Sequence, residues 1–204
     1  FFFIFYNGIV FAGGLSTPGQ GARAVSMASA FTAVADDGTA VYYNPAGINQ
    51  ISGTTIEGGI ASISPELEYT TPGGATEKST KAALAPSFFI THHFSDKFSA
   101  GFGLYAPYAR DAKFSDDLAN GFASLRSKIV RTDLSAVVAY RMSDSFSMGG
   151  GLVLGYSQLD RSTPVDELGS RINDKMDGVG VSGIIGVLWR ASDYLKVGVT
   201  YRSE

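Results

Sequence analysis

Three short turn motifs, each between two runs of alternating apolar and polar residues, constrain the fold of this chain more than any other feature. Each motif has Ser-Asp at its centre and an aromatic or large apolar residue two positions after the Asp. The acidic residues are Asp96, Asp144 and Asp193, separated by 48 and 49 residues. Because Ser and Asp side chains bond to nearby backbone groups, the motifs predict tight turns. The chain is therefore expected to form β-hairpins of nearly constant length.

The runs beside these turns alternate with a period of two. In one run Leu134, Val138 and Tyr140 share a face, while Ser135 and Arg141 lie on the other. Strict alternation over this length indicates half-buried strands. We predict seven strands, at about 54–64, 82–94, 97–106, 128–141, 145–158, 179–190 and 194–203.

The predicted strands are near the length that a tilted strand needs to cross a bilayer, about 9–11 residues. The Ser-Asp turns are very short, whereas the other connections, 65–81, 107–127 and 159–178, are long and polar. Short turns at one end and long loops at the other are typical of outer-membrane barrels. The 25 glycines and the low charged fraction of 17% also favour strands with a lipid-facing side over a helical bundle. If the N-terminus starts in the periplasm, the short turns are periplasmic.

The two ends of the sequence carry separate expectations. Residues 1–12 are an apolar run, too short for a membrane-spanning helix of about 20 residues. The run ends in Ala12 before two glycines, which resembles a signal-peptidase site, so we interpret 1–12 as the remnant of a secretory signal peptide. A buried strand is the alternative. Seven strands leave an open edge, which lipid does not tolerate, so further strands are expected after residue 204.

Residues 13–53 do not alternate. They are rich in Gly, Ala and Ser, and Asp36-Asp37-Gly38 and Asn44-Pro45 are turn signals. Small residues allow close packing. A compact segment placed before the first strand could therefore fill the lumen of a barrel, whose strands we assign to residues 54–204.

The segment contains three further motifs, Gly-Ala-Arg-Ala at 21–24, Ala-Val-Ala-Asp-Asp at 33–37 and Asn44-Pro45-Ala46-Gly47. Through these motifs, and above all the last, the chain resembles the FadL/TodX family of outer-membrane transporters for long-chain fatty acids and aromatic hydrocarbons. The resemblance continues at 103–108 and 195–203 and covers nearly all of 13–204.

The resemblance implies an all-β fold, a transmembrane antiparallel β-barrel of fourteen strands, of which this chain would supply about half. It implies an N-terminal hatch over 13–53 that closes the lumen and ends in Asn44, Pro45 and Ala46. It also implies a bacterial outer-membrane location, with membrane lipid and lipopolysaccharide around the barrel. The hydrophobic ligand would land in an apolar groove of the extracellular loops and move to a pocket inside. It would then leave through a gap in the wall or past the moved hatch.

One long loop carries a possible part of that groove. Phe114, Leu118, Phe122 and Leu125 recur at spacings that place them on one face of a short helix, and Ser115 can act as its N-cap. One interpretation is a loop helix that packs on the barrel rim. The other is one wall of a landing groove for an acyl chain.

A carboxylate inside a barrel needs a cation. Arg131 lies on the presumed lumen face with Asp133 and Ser135, and it could contact an acid headgroup. The alternative is that Arg131 pairs with Asp133 or with a loop carboxylate.

No catalytic or metal-binding pattern is found in the sequence. His92 and His93 are adjacent, so in a strand they point to opposite faces and cannot share a metal. No loop has the ligand spacing of a calcium site, no glycine-rich phosphate loop is present, and there is no Cys. The net charge of −3 gives no basic surface for nucleic acid. We expect neither an enzyme nor a bound cofactor.

Three functions remain open at this stage. The first is passive, porin-like transport of hydrophobic compounds, with long-chain fatty acids favoured over aromatic hydrocarbons. The second is a PorV-like barrel that serves as a scaffold for secretion or surface attachment, because such proteins share the 33–37 and 44–47 motifs. The third is a role of the long loops as an adhesin or phage receptor, which is compatible with transport.

Overall fold

Seven strands form a single antiparallel sheet, and two more form a small hairpin beside it. The computed structural model describes residues 17, 19–64, 66–71, 73–79, 81–114, 126–164 and 171–203. The sheet contains β1 (Thr54–Ile63), β4 (Ala83–Ser95), β5 (Phe98–Lys113), β6 (Arg126–Ser143), β7 (Phe146–Pro164), β8 (Arg171–Ser192) and β9 (Leu195–Arg202). The hairpin contains β2 (Leu67–Thr70) and β3 (Thr76–Ser79). Neighbours in the sheet follow chain order, which confirms the predicted series of antiparallel hairpins.

The three Ser-Asp motifs form two-residue turns, as predicted, between β4 and β5, β6 and β7, and β8 and β9. In each turn the hydroxyl of the Ser accepts a backbone N–H from the turn. The pairs are Ser95 with Phe98 at 3.2 Å, Ser143 with Ser145 at 3.4 Å and Ser192 with Tyr194 at 3.3 Å. These bonds fix where each strand reverses, and therefore which side chains face inward. We refer to this end of the sheet as the short-turn end and to the opposite end as the long-loop end.

Four of the strands extend further at the long-loop end than the sequence predicted, whereas β1 and β4 end there within one residue of the prediction. β5 continues to Lys113 rather than 106, β6 begins at Arg126 rather than 128, β7 continues to Pro164 rather than 158, and β8 begins at Arg171 rather than 179. The loop expected at 65–81 contains the β2–β3 hairpin. The difference between the predicted and observed strand ends has a physical cause. Near this end polar residues occupy both faces, so the period-two signal ends while backbone pairing continues.

The two faces of the sheet differ as the alternation predicted. On the outer face Ile185 is 61% exposed, whereas its neighbour Ile184 on the inner face is fully buried. Large apolar residues are exposed along the whole outer face, among them Leu134, Val138, Leu152, Val181 and Val199. An apolar surface of this extent on a folded protein is one that meets lipid or a partner. Aromatic residues are exposed near the short turns, namely Phe94, Phe98, Tyr140, Trp189 and Tyr194, where a membrane interface would lie.

The inner face is covered by the N-terminal segment, defined here as residues 17 and 19–53. It contains helix α1 (Ala22–Ser26), helix α2 (Ala40–Tyr43) and a 3-10 helix (Pro45–Gln50). Val41, Ile48 and Ile51 form one buried cluster with inward side chains of five strands, Phe89, Tyr105, Val137, Ala139, Val153 and Ile184. The core of the molecule therefore lies between this segment and the sheet. Among the described residues no helix is both long enough and apolar enough to cross a membrane. The signal peptide predicted at 1–12 lies outside the described residues.

Candidate functional site

Asn44 joins the N-terminal segment to the sheet. Its side chain is fully buried. The amide Nδ2 donates to Thr32 O at 2.9 Å and, across the interface, to Val187 O in β8 at 3.0 Å. The side-chain oxygen accepts the backbone N–H of Ala46 at 3.1 Å and so caps the 3-10 helix. Asn44 thus uses its amide nitrogen to hold the turn against the sheet and its amide oxygen to fix the turn itself.

The residues around Asn44 explain why α2 ends here. Pro45 has no N–H, so it fits the first position of the 3-10 helix but could not continue α2. A residue before Pro is pushed into extended backbone, and Asn44 has φ −161° and ψ 101°. The Asn-Pro-Ala element therefore produces a sharp change of direction at the inner surface of the sheet.

Three inward glycines allow this close approach, and we call them the glycine groove: Gly149, Gly186 and Gly198. A Cβ at Gly186 would overlap the Asn44 side-chain oxygen, and one at Gly149 would lie 2.5 Å from Ala46 N. Gly149 and Gly186 are directly opposite each other in β7 and β8. Gly198 in β9 receives the backbone around Thr32 in the same way. A side chain in place of the hydrogen at Gly149 or Gly186 would therefore push the Asn-Pro-Ala element away from the sheet.

A charged cluster lies on the long-loop side of the 3-10 helix. The carboxylate of Asp133 is almost completely buried, with 1% exposure. It accepts from Arg131 Nε at 2.7 Å, and Arg202 Nη1 lies 3.5 Å away on its other oxygen. Arg202 also donates to the hydroxyl of Tyr105 and to the backbone oxygen of Tyr42, both at 3.1 Å. Two guanidinium groups therefore share one carboxylate, which leaves one positive charge in excess.

This cluster forms one wall of a cavity of about 480 Å³. Its lining combines aromatic and charged side chains, Tyr42, Pro107, Tyr108, Arg131, Asp133, Arg202 and Ser203. Burial raises the pKa of Tyr42 to about 12, although Arg202 acts in the opposite direction. The phenol of Tyr42 is therefore neutral at ordinary pH and does not cancel the excess positive charge. The cavity can accept an anionic group with an apolar portion attached.

The sheet is interrupted beside this cavity. β4 and β5 pair only as far as Ser87 and Tyr105, and the β5–β6 register shifts between Tyr105 and Tyr108. Pro107 lies within this bulge and has no N–H to donate. The carbonyl groups freed here are bonded by the N-terminal segment. Gln20 Nε2 donates to Ala106 O at 3.0 Å, and Thr17 N donates to Pro107 O at 2.8 Å.

The sequence-predicted site residues fall in different parts of the structure. Asn44, Pro45 and Ala46 lie at the interface with the wall, and Arg131 lies at the cavity, where it forms the ion pair with Asp133 that was the alternative for it. Phe114 follows β5 and is mostly buried, with its ring 6.1 Å from that of Tyr69. Leu118, Phe122 and Leu125, with which it was expected to form a groove, lie outside the described residues.

The sequence analysis missed Arg202, Tyr42, Gln20 and the glycine groove. For the glycines a signal existed, because they recur at inward positions of strands whose outward positions are large and apolar. For Arg202 no local signal existed. It contacts Tyr42, 160 residues away in the chain. In the part of the chain that the structure describes, no three His, Asp or Glu residues come together as a possible metal site.

Comparison with known proteins identifies relatives over nearly the whole sequence. A family model described as outer membrane protein transport protein (OMPP1/FadL/TodX) matches residues 3–204. A long-chain fatty acid transport protein of Escherichia coli O6:H1 is 25% identical over 203 residues, which cover 84% of this chain and 46% of that protein. A 47 kDa outer membrane protein of Pasteurella multocida is 30% identical over 107 residues, 52% of this chain and 24% of that protein. The chain thus spans about half the length, or less, of these curated relatives.

Solved structures show the same fold. A FadL homologue of Pseudomonas aeruginosa superimposes with a TM-score of 0.70 at 18% identity, over 93% of this chain and 52% of that one. The toluene transporter TodX of Pseudomonas putida gives 0.67 at 15% identity, over 81% and 51%. At these identities the likeness establishes the fold alone. It confirms the predicted class, an antiparallel β-barrel of which this chain forms a part.

Proposed function

Because the chain belongs to the outer membrane transport protein family that includes FadL and TodX, we propose that it forms the hatch and part of the wall of a passive channel for hydrophobic acids, most simply long-chain fatty acids. Membership confirms the expected location in the bacterial outer membrane. It also agrees with a transport protein rather than an enzyme. The hatch of this proposal is the N-terminal segment, and the short-turn end is periplasmic.

One observation supports an acid rather than a neutral hydrocarbon as the ligand. Arg131 and Arg202 share the single buried carboxylate of Asp133 at the edge of the 480 Å³ cavity. A hydrocarbon gains nothing from an excess cation in a partly desolvated site. A carboxylate gains a charge-assisted hydrogen bond, which contributes about 1.5–3 kcal/mol. Tyr42 and Tyr108 offer ring surface to the first methylene groups of the chain.

The cavity adjoins the interruption between β4 and β5, which suggests a path. A ligand in the cavity is separated from the lipid outside by the bulge at Pro107 and by the contacts of Thr17 and Gln20 with it. Moving Thr17 and Gln20 away would free this gap in the sheet without unpairing any of its strands. Each methylene that leaves water along this path contributes about 0.8 kcal/mol. Transfer of a long acyl chain into the membrane therefore needs no other energy source.

Comparison of oleate with methyl oleate tests the proposal directly. The full-length protein in a neutral detergent should bind oleate at least tenfold more tightly than the ester, because only the acid can use the excess cation. Arg131→Gln should weaken oleate binding about tenfold and leave the ester unaffected. Lys128→Gln, on the opposite face of the same strand, is the matched control. Equal affinity for acid and ester would instead favour a hydrocarbon channel.

The predicted apolar groove is the second part of the proposal. Phe114, Leu118, Phe122 and Leu125 would form the wall on which the ligand first lands. Changing Leu118 and Phe122 together to Ser should lower the affinity for oleate and for methyl oleate alike, because both carry the same chain. A change that affects neither ligand would leave the loop without a role in capture.

A further inference from the structure

The short-turn end carries a repeated feature that the transport proposal does not use. Three residues before the Asp of each turn motif stands a basic residue, His93, Arg141 or Arg190. All three occupy inward positions of their strands, because their cross-strand partners and neighbours face the N-terminal segment. His93 is bonded to Ser99 at 2.8 Å. Arg141 and Arg190 point toward the space beneath the 3-10 helix.

Two like charges face each other at this end. Arg190 in β8 and Lys196 in β9 are direct cross-strand partners, and like charges in that position destabilise a sheet. In the described part of the chain, none of Arg190, Lys196 and Arg141 forms an ion pair. Arg141 donates to Asn49 O, and Lys196 donates to the side-chain oxygen of Gln50 at 2.8 Å. Both acceptors are neutral, so the repulsion is not compensated.

The three cations surround a cavity of about 490 Å³, which is separate from the one beside Arg131. Its other lining residues are polar except for Leu188: Asp36, Asn49, Gln50, Asp144, Ser145 and Ser147. Asp36 is already paired with Arg23 at 2.5 Å, so Asp144 is the remaining carboxylate in this lining. The cavity therefore carries an excess of two positive charges, and its lining is mainly polar.

We propose that this cavity binds an oxyanion, the carboxylate or phosphate group of a small molecule or headgroup, on the short-turn side of the 3-10 helix. The site is distinct from the cavity beside Arg131. Arg190 offers a planar pair of donors, Lys196 a point charge and Arg141 its remaining donors, the combination that binds carboxylates and phosphates elsewhere. The mainly polar lining suits the charged group of the occupant. An occupant would remove the repulsion between Arg190 and Lys196.

Calorimetric titration of the full-length protein in neutral detergent tests this site. Sodium phosphate and sodium acetate are the probes, each titrated at an ionic strength held constant with sodium chloride, so that screening of the like charges contributes equally throughout. The wild-type protein should bind at least one of the two anions. The double variant Arg190→Gln, Lys196→Gln should bind it at least tenfold more weakly. Lys128→Gln, a lysine on the outer face near the other end of the sheet, should bind it as the wild type does.

The two probes also identify the chemistry of the occupant. Tighter binding of phosphate would indicate a phosphorylated molecule, and tighter binding of acetate an organic acid. Equal binding by wild type and double variant, or no binding of either anion beyond that of chloride, would overturn the proposal. If the double variant fails to fold, as judged by its heat-dependent mobility on gels, Arg190→Lys replaces it. That variant keeps the charge but loses the paired donors, so it should bind several-fold more weakly, and unchanged binding would overturn the proposal.

Discussion

The seven-stranded sheet, called the wall below, and the N-terminal segment are held in place by different kinds of interaction. The wall is a ladder of backbone bonds between consecutive strands, set by a pattern that repeats every two residues. The segment has no backbone ladder to the sheet along its length; a buried apolar cluster and single polar side chains that reach far along the chain hold it there. Asn44 contacts Val187, 143 residues away, and Arg202 contacts Tyr42, 160 residues away. The comparison indicates that the segment can be released by local changes that leave the wall intact.

The largest effect is expected from a side chain placed in the glycine groove. Gly186→Leu puts atoms where the Asn44 side chain lies, so the Asn-Pro-Ala element should leave the wall and open the lumen. Planar-bilayer recordings of the full-length variant should show a conductance severalfold above that of the wild type. Gly180→Leu in the same strand, where a Cβ meets nothing within 4 Å, should conduct as the wild type does. Equal conductance of all three proteins would contradict the close approach described here.

A smaller effect should follow from loss of the Asn44 side chain. Asn44→Ala removes three hydrogen bonds and leaves buried carbonyl oxygens without donors, at a cost of about 3–4 kcal/mol. Hydrogen exchange should accelerate in residues 20–50 and stay unchanged in β6 and β7. Faster exchange throughout the strands would mean that the segment and the wall unfold together.

Alkaline pH should destabilise the N-terminal segment while the strands of the sheet stay folded. Burial raises the pKa of Tyr42 to about 12 from its ordinary value near 10. Since the raised value favours the neutral phenol in the folded state, its contribution is fully present below pH 10 and is lost as pH rises toward 12. The loss reaches about 3 kcal/mol at most. Protease cleavage within the N-terminal segment should increase over this range in the wild type and less in Tyr42→Phe, with the strands resistant in both.

The smallest effect is expected at a short turn. Ser143→Ala removes two long, exposed bonds of its hydroxyl, to the backbone N–H of Ser145 at 3.4 Å and to the Ser145 hydroxyl at 3.3 Å, which together contribute about 0.5–1 kcal/mol. The urea midpoint of the barrel should fall slightly, and exchange in the N-terminal segment should not change. An effect as large as that of Asn44→Ala would show that the turns and the segment are coupled.

The same contrast explains what the sequence could predict. The strand pattern, the inner and outer faces and the three turns depend on residues close together in the chain, so the alternation and the Ser-Asp motifs were sufficient to identify them. The extra length of β5 and β8 at the long-loop end was missed because pairing there continues without an apolar face. Arg131 and Asn44 were found, the first from its place on the lumen face and the second through a family resemblance. Arg202, which shares Asp133 with Arg131, and Gly186, against which Asn44 packs, were not found, because only the folded chain brings these residues together.

Uptake of labelled oleate by bacteria that lack this protein tests the central claim most directly. A hatch-closed channel for hydrophobic acids predicts that uptake falls to background in the deletion strain and returns with the full-length gene, while Arg131→Gln restores it poorly. Labelled toluene should enter both strains almost equally. Normal oleate uptake in the deletion strain, together with mis-sorted surface proteins, would contradict this account and favour a PorV-like scaffold.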